Sequence, residues 1–200
     1  QETKEFWIQR GVNLTDNRRF CFIGSFMTVF DFIVIKKAIN LLRSDEKNFQ
    51  IVIAGDGGFR KEIQKLFKDL NNVIFPGWID AKKIHVLSKY SRGTIIPYKN
   101  IDNFTSNIPN KVIDSLSNSL PIVTTLKGTV EALIKKYDVG FVCKNECEIK
   151  DSLKLLLDDQ SLFHKKSVNA YNLYLEKFEY NKVYEGLSIS LENLADLHGR

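Results

Sequence analysis

"IVIAGDGGFRKEIQKLFKDLNNVIFPGWID", residues 51–80, changes its hydrophobic period twice. Residues 51–54 form a short apolar run that stops at Gly55-Asp56-Gly57-Gly58, and 59–70 is amphipathic and rich in charged residues, Lys above all. In 72–75, Asn72 is followed by the apolar Val73, Ile74 and Phe75, and the run ends near Gly77. Short apolar runs punctuated by glycine read as buried strands, and the segment between them reads as a helix. The stretch is therefore a β-α-β unit, which needs a parallel sheet.

The same alternation extends in both directions. Upstream, 20–23 is a strand ended by Gly24, and 29–42 carries a helical stripe of Val29, Ile33, Val34, Ala38, Leu41 and Leu42. Downstream, 81–89, 111–116 and 130–137 read as helices between strands at 94–97, 121–124 and 140–143. Six strands with intervening helices predict a Rossmann-like, doubly wound parallel α/β sheet with helices on both faces. After 146 only helices are expected, over 148–157, 162–178 and 180–194. The last two carry Phe163, Tyr171, Tyr174, Phe178, Tyr180 and Tyr184, an aromatic stripe suited to a core or a domain interface.

The 200 residues, 44% hydrophobic and 26% charged, describe a soluble globular chain of one domain with a small appendage. No apolar run of about 18 residues could span a membrane. The polar start argues against a signal peptide, and the absence of an initiator Met suggests a fragment or a processed product. Cys21, Cys143 and Cys147 are too few for a disulfide framework and fit a reducing compartment. No second pair completes a zinc site with Cys143 and Cys147, so no metal is expected. The net charge of +5 is spread along the chain, which suits a solvated surface with one anionic-ligand pocket better than a nucleic-acid face.

Open α/β sheets bind ligands beyond the carboxyl ends of their strands. Gly24-Ser25-Phe26, 55–58, Gly77-Trp78-Ile79, 98–108 and 124–128 stand there. The helix opening at Asn110 points its N-terminus into that crevice, where free N–H groups and the helix dipole favour an anion. Lys111 in its first turn makes sense against a diphosphate, and Asp114 one turn on could accept from a ribose diol. The competing reading is a solvated Lys and Asp on an exposed helix face. A dinucleotide fingerprint is missing from Gly24-Ser-Phe-Met-Thr-Val and from Gly55-Asp-Gly-Gly-Phe-Arg, and there is no P-loop. Ser25 and Gly77 stand where a receiver domain would need acids.

Taken in order, "FIGSF…KKAINLL", "IVIAGDGGFRKEIQKL", "NNVIFPGWIDAKKIHVLSKY", "IIPYKN", "NIPNKVIDSLSNSLPIVTT" and "FEYNKVYEGL" resemble the C-terminal domain of glycosyltransferase family 4. Those enzymes are retaining sugar-nucleotide transferases built from two facing Rossmann domains, the GT-B fold. The resemblance covers roughly residues 15 to 190. It implies a linker remnant over 1–15, a nucleotide-sugar-binding domain over 16–178, and a C-terminal helix over 179–200 that packs on a missing N-terminal acceptor domain.

The resemblance also implies donor contacts at Gly24, Ser25, Asp56, Trp78, Ile79, Tyr98, Asn107, Ile108, Asn110, Lys111 and Asp114. The family's E-x7-E pair falls at Ser106 and Asp114, so the first acid is missing and the catalytic residue is unassigned. Its diphosphate-binding Arg and Lys fall at Ser25 and Phe30, which leaves Lys111 as the remaining cation. The implied function is donor binding in a hexosyltransferase of bacterial-type polysaccharide or glycoconjugate synthesis. The implied donor is a nucleotide diphosphate sugar, by default a UDP-sugar, and the acceptor a glycan or lipid-linked sugar. The implied place is the cytoplasm, peripheral to the inner membrane face through the missing domain. This piece alone is expected to be folded and inactive. The alternatives are a non-catalytic nucleotide-binding module and a sugar-nucleotide epimerase of the same build.

Overall fold

The computed structural model describes residues 1–184 and residue 188. Its strands are β1 (Arg19–Ile23), β2 (Gln50–Ala54), β3 (Val73–Gly77), β4 (Gly93–Ile96), β5 (Ile122–Thr124) and β6 (Gly140–Val142). All neighbours pair in parallel, in the order β3-β2-β1-β4-β5-β6. The order reverses between β1 and β4, the switch point at which a doubly wound sheet opens a crevice. All six expected strands are present, with ends displaced by a residue or two. Pro76 lies inside β3, where the missing N–H is tolerated because β3 is an edge strand with an irregular register against β2.

The helices are α1 (Glu2–Gln9), α2 (Phe32–Asp45), α3 (Arg60–Leu66), α4 (Ala81–Lys89), α5 (Asp102–Thr105), α6 (Asn110–Ser117), α7 (Thr129–Tyr137), α8 (Glu146–Asp158) and α9 (Gln160–Lys177). Two apolar layers sandwich the sheet. On one side Phe20 and Phe22 of β1 join Phe32, Ile35, Ile39 and Phe67 in the larger core. Cys21 of β1 and Val52 and Ala54 of β2 face the other way, against Trp7, Ile79 and Leu87. This two-sided burial is why the central strands read as continuous apolar runs rather than alternating ones.

α2 corrects the expected stripe. Asp31 caps the helix, its Oδ1 accepting from the backbone N–H groups of Ile33 and Val34 at 3.1 Å, so Val29 precedes the helix. Ile33 and Leu41 face solvent, whereas Phe32, Ile35, Ala38, Ile39 and Leu42 are buried. The competing stripes have the same period, and packing between the sheet and α8 selects the second.

α1 lies within the segment expected to be linker. Trp7 is fully buried, and its Nε1–H donates to the carbonyl oxygen of Lys83 in α4 at 3.3 Å. α5 is a short helix inside the 98–108 segment expected as a loop. Of the aromatic stripe, Phe163, Tyr174 and Phe178 pack on the core, while Tyr171, Tyr180 and Tyr184 are exposed. Residues 180–184 are helical, and the rest of the expected 180–194 helix lies outside the described residues apart from residue 188.

Candidate functional site

The strand ends interlock at the switch point. Gly24 N–H donates to Ala54 O at 2.9 Å, Gly55 N–H to Gly77 O at 2.8 Å, and Phe26 N–H to Asp56 O at 2.8 Å. Gly55 has a φ of +140° and lies so close to β1's end that an added Cβ would stand 1.9 Å from Gly24 O. Only glycine allows that approach. The loops after β1, β2 and β3 are thereby drawn into one crevice of about 250 Å³, lined by Gly24, Ser25, Asp56, Trp78, Ile79 and Ile84 among others. Trp78 is 72% exposed at its edge and Ile79 is buried beneath. Asp56 Oδ2 accepts from Arg60 Nη1 at 3.0 Å, which holds a second cation beside this crevice.

A second cavity of about 270 Å³ adjoins it and shares Ile23 and Ile84. It lies between α4 and α6, over the β1–β4 junction. α4 contributes Ala81, Ile84 and Ser88, and α6 contributes Lys111, Asp114 and Ser115, with Asn118 at its C-cap. These spacings of three, four and seven put each set on one helix face. Below Lys111 and Asp114 the lining is mostly apolar, with Ile96 and Leu120.

Lys111 reaches from the first turn of α6 to the end of β1. Its Nζ donates to Ile23 O at 2.9 Å and lies 5.1 Å from the Phe22 ring centroid and 5.4 Å from that of Phe30. Burial pushes the Lys111 ammonium below the usual lysine range, an effect that Asp114 partly opposes. Burial likewise pushes the Asp114 carboxyl up, opposed by Lys111, although Asp114 keeps an exposed edge. α6 has Pro109 at its N-cap and no side-chain cap; Val112 N–H donates to Pro109 O at 2.9 Å, and the N–H groups of Asn110 and Lys111 are left for another acceptor.

The structure thus brings together Gly24, Ser25, Asp56, Trp78 and Ile79 in one crevice and Lys111 and Asp114 in the adjoining one. Tyr98, Asn107, Ile108, Asn110 and Ser106 line neither cavity. The Tyr98 ring is buried against Phe30 and Phe104, with centroids at 4.6 and 4.5 Å. Asn107 donates back to Asn103 O, and Ser106 Oγ to Asp102 O, inside the turn that α5 makes. Ile108 packs on the core and Asn110 is exposed. Sequence reasoning missed Ile84, Ser88 and Asn118. Their signal was helical spacing, from 81 and 84 to 88 and from 111 and 114 to 118. Among the described residues no group of three or more His, Cys, Asp or Glu side chains could hold a metal ion. No described helix is long and apolar enough to cross a membrane.

The family model described as glycosyl transferases, group 1, matches residues 3–173. A curated relative from Campylobacter jejuni is 27% identical over 155 residues, which make up 76% of this chain and 41% of the relative. It is a GalNAc-α-(1→4)-GalNAc-α-(1→3)-diNAcBac-PP-undecaprenol α-1,4-N-acetyl-D-galactosaminyltransferase. The chain therefore spans about two fifths of that relative's length. Among solved structures, Anabaena Alr3699/HepE in complex with UDP and glucose superposes with a TM-score of 0.76 at 14% identity, over 96% of this chain and 52% of that one. The C-terminal domain of the group 1 glycosyl transferase LpcC from Francisella tularensis superposes with a TM-score of 0.68 at 16% identity, over 89% and 93% of the two chains. At such identities these likenesses establish the fold.

Proposed function

The chain belongs to the group 1 glycosyl transferases, and from that premise we propose that its switch-point crevice is the donor half of a retaining hexosyltransferase. The observation that carries this reading is the pairing of Lys111 and Asp114 on one face of α6, at the cavity that adjoins the glycine-lined crevice. In this reading the ammonium meets the diphosphate, and the uncapped N–H groups of Asn110 and Lys111 supply further donors. Asp114 accepts from the ribose hydroxyls, while Ile79, Ile84 and Trp78 offer apolar surface to the base. As the glycosidic bond breaks, charge grows on the leaving diphosphate, and preorganised donors there lower the barrier.

UDP is the proposed nucleotide, supported by its presence in the Anabaena neighbour. A lipid-linked sugar is the proposed acceptor, on the model of the Campylobacter relative, whose name gives a PP-undecaprenol-linked sugar as acceptor. In the same reading the described domain is the C-terminal half, residues 1–15 lead into it, and 179–200 reach back to an acceptor domain. The whole protein works in polysaccharide or glycoconjugate synthesis at the inner face of a membrane.

A second reading, a nucleotide-binding module without chemistry, is favoured by two observations. Phe30 is buried among aromatic rings, and the Ser106 hydroxyl is turned onto Asp102 O. Neither can serve as the cation or the acid expected there.

Titration calorimetry on K111A and D114A, with UDP, uridine and deoxyuridine diphosphate, tests the site. K111A is expected to lose about 1.5–3 kcal/mol with UDP and much less with uridine. D114A is expected to lose equally with both, and to be indifferent to removal of the ribose hydroxyl. Unchanged affinities in both variants mean that the face is merely solvated.

A further inference from the structure

Gly24 carries a side chain's worth of space that something else fills. A Cβ built on it would stand 1.4 Å from Lys111 Nζ and 2.8 Å from Lys111 Cε. The lysine tip, delivered by a helix 87 residues away in the chain, occupies the volume the glycine leaves open. Three further contacts close around it. Ile23 O accepts one of the three ammonium N–H groups at 2.9 Å, and the rings of Phe22 and Phe30 lie within reach of its charge. Those rings are locked edge to face with centroids 5.0 Å apart, and Phe30 is held against Tyr98 at 4.6 Å. Asp31 N–H, next to Phe30, donates to Pro97 O at 2.7 Å.

We propose that Gly24, Phe22 and Phe30 form a preformed seat for the Lys111 ammonium, and that Gly24 is a positioning residue for the donor diphosphate through that lysine. The proposal rests on the donor-site reading of Lys111. A lysine is a point charge on four rotatable carbons, and on a solvated helix turn it would sample many positions. The seat holds it at the carboxyl end of β1. The ordering is built into the fold, so it is not a cost of binding. The clash with a methyl group at 24 falls on the tip of a flexible side chain. It would displace the lysine and cost the packing around it little.

Gly24 has a φ of +144°, so backbone conformation alone is a competing reason for its identity. The two reasons separate in a double-mutant cycle. Backbone strain at 24 is the same with or without the lysine, whereas the seat matters only when Lys111 is present. UDP affinity is measured by calorimetry for wild type, G24A, K111A and G24A/K111A. G24A is expected to lose at least about tenfold, as K111A does. The double variant is expected to bind no worse than K111A. If the two losses multiply, Gly24 acts on the ligand or the turn directly and the proposal is overturned.

A readout without ligand tests the seat apart from the donor reading. The Lys111 side chain is titrated by NMR through its ε-methylene carbon, assigned with K111R. In G24A its titration is expected to move up toward the ordinary lysine range, because the tip is expelled to water. In F30L, which keeps Gly24 and much of the bulk, it is expected to move further down, because a buried ammonium loses one π face. No movement in either variant overturns the seat. Movement in both with an unchanged UDP affinity in K111A keeps the seat, overturns the positioning role, and removes the donor reading itself.

Discussion

The indole of Trp7 reaches across from α1 to the carbonyl oxygen of Lys83 in α4, a contact of 3.3 Å that joins the first turns of the chain to the helix flanking the site. Trp7 is fully buried, and Phe6 stands edge-on to it with centroids 5.1 Å apart. W7A should therefore destabilise the fold by about 3–5 kcal/mol. W7F, which keeps most of the packing and loses the hydrogen bond, should cost far less. Urea denaturation with an unchanged slope checks both. A wild-type midpoint for W7A would mean that α1 docks without contributing and that 1–15 is linker in the energetic sense as well.

If Lys111 holds the donor diphosphate as proposed, the burial that pushes its ammonium below the usual lysine range should set an alkaline limit to donor binding. Asp114 is the charged group beside Lys111 in the cavity; Ile23, Ile96, Ala81, Ile84 and Ser88, on the elements facing it, are neutral. UDP affinity should fall as pH rises through a value below the ordinary lysine range, when the ammonium loses its proton. K111R should extend binding to higher pH, because a guanidinium does not titrate there. Stability should run the other way. Between the folded and the ordinary value the unfolded chain binds more protons, so this group makes stability rise with pH across that window. Calorimetry from pH 7 to 10 checks the affinity, and identical flat profiles for the two proteins would remove Lys111 from the site.

Asp138 ends α7 in the left-handed region at φ 53° and accepts from two consecutive lysines of α9. Lys165 Nζ lies 2.8 Å from Oδ2, and the buried Lys166 Nζ lies 2.5 Å from Oδ1. D138N and D138A both remove the charge. D138A should be the less stable by about 1 kcal/mol, since alanine tolerates a left-handed backbone worse than asparagine does. Hydrogen bonds from Lys165, then Lys166, hold the carboxyl below its usual range. Its contribution is therefore complete above about pH 4 and is lost as pH falls through the folded value. The stability gap between wild type and D138N, measured by urea denaturation from pH 6 to 2, should shrink on acidification. A gap independent of pH would mean that the pair contributes through packing alone.

Much of the architecture was legible because burial on two faces leaves a distinct mark. The short apolar runs at 20–23 and 51–54, alternating with helical stretches, read as buried strands of a parallel sheet, and glycines 24, 55 and 77 marked where the chain turns out of it. The helix faces were less legible. In α2 two apolar stripes share one period, and Asp31 together with α8 decides between them. α1 was missed because eight residues with one buried tryptophan carry little periodic signal of their own.

By itself the sequence determined the six strands and the helices that alternate with them, the parallel sheet, and the placing of Lys111 and Asp114 one turn apart on a helix that follows the fourth strand, though not α1 or α5. These follow from local periodicity and from the strong conformational preferences of glycine and proline. Only the tertiary structure decided what those side chains meet. It put the Lys111 tip into the space beside Gly24 and between Phe22 and Phe30, buried Tyr98 away from the crevice, and opened a cavity behind Lys111 between α4 and α6. The physical reason is that such contacts join residues far apart in the chain. They depend on sheet order and helix rotation, and these are settled by packing across the whole core.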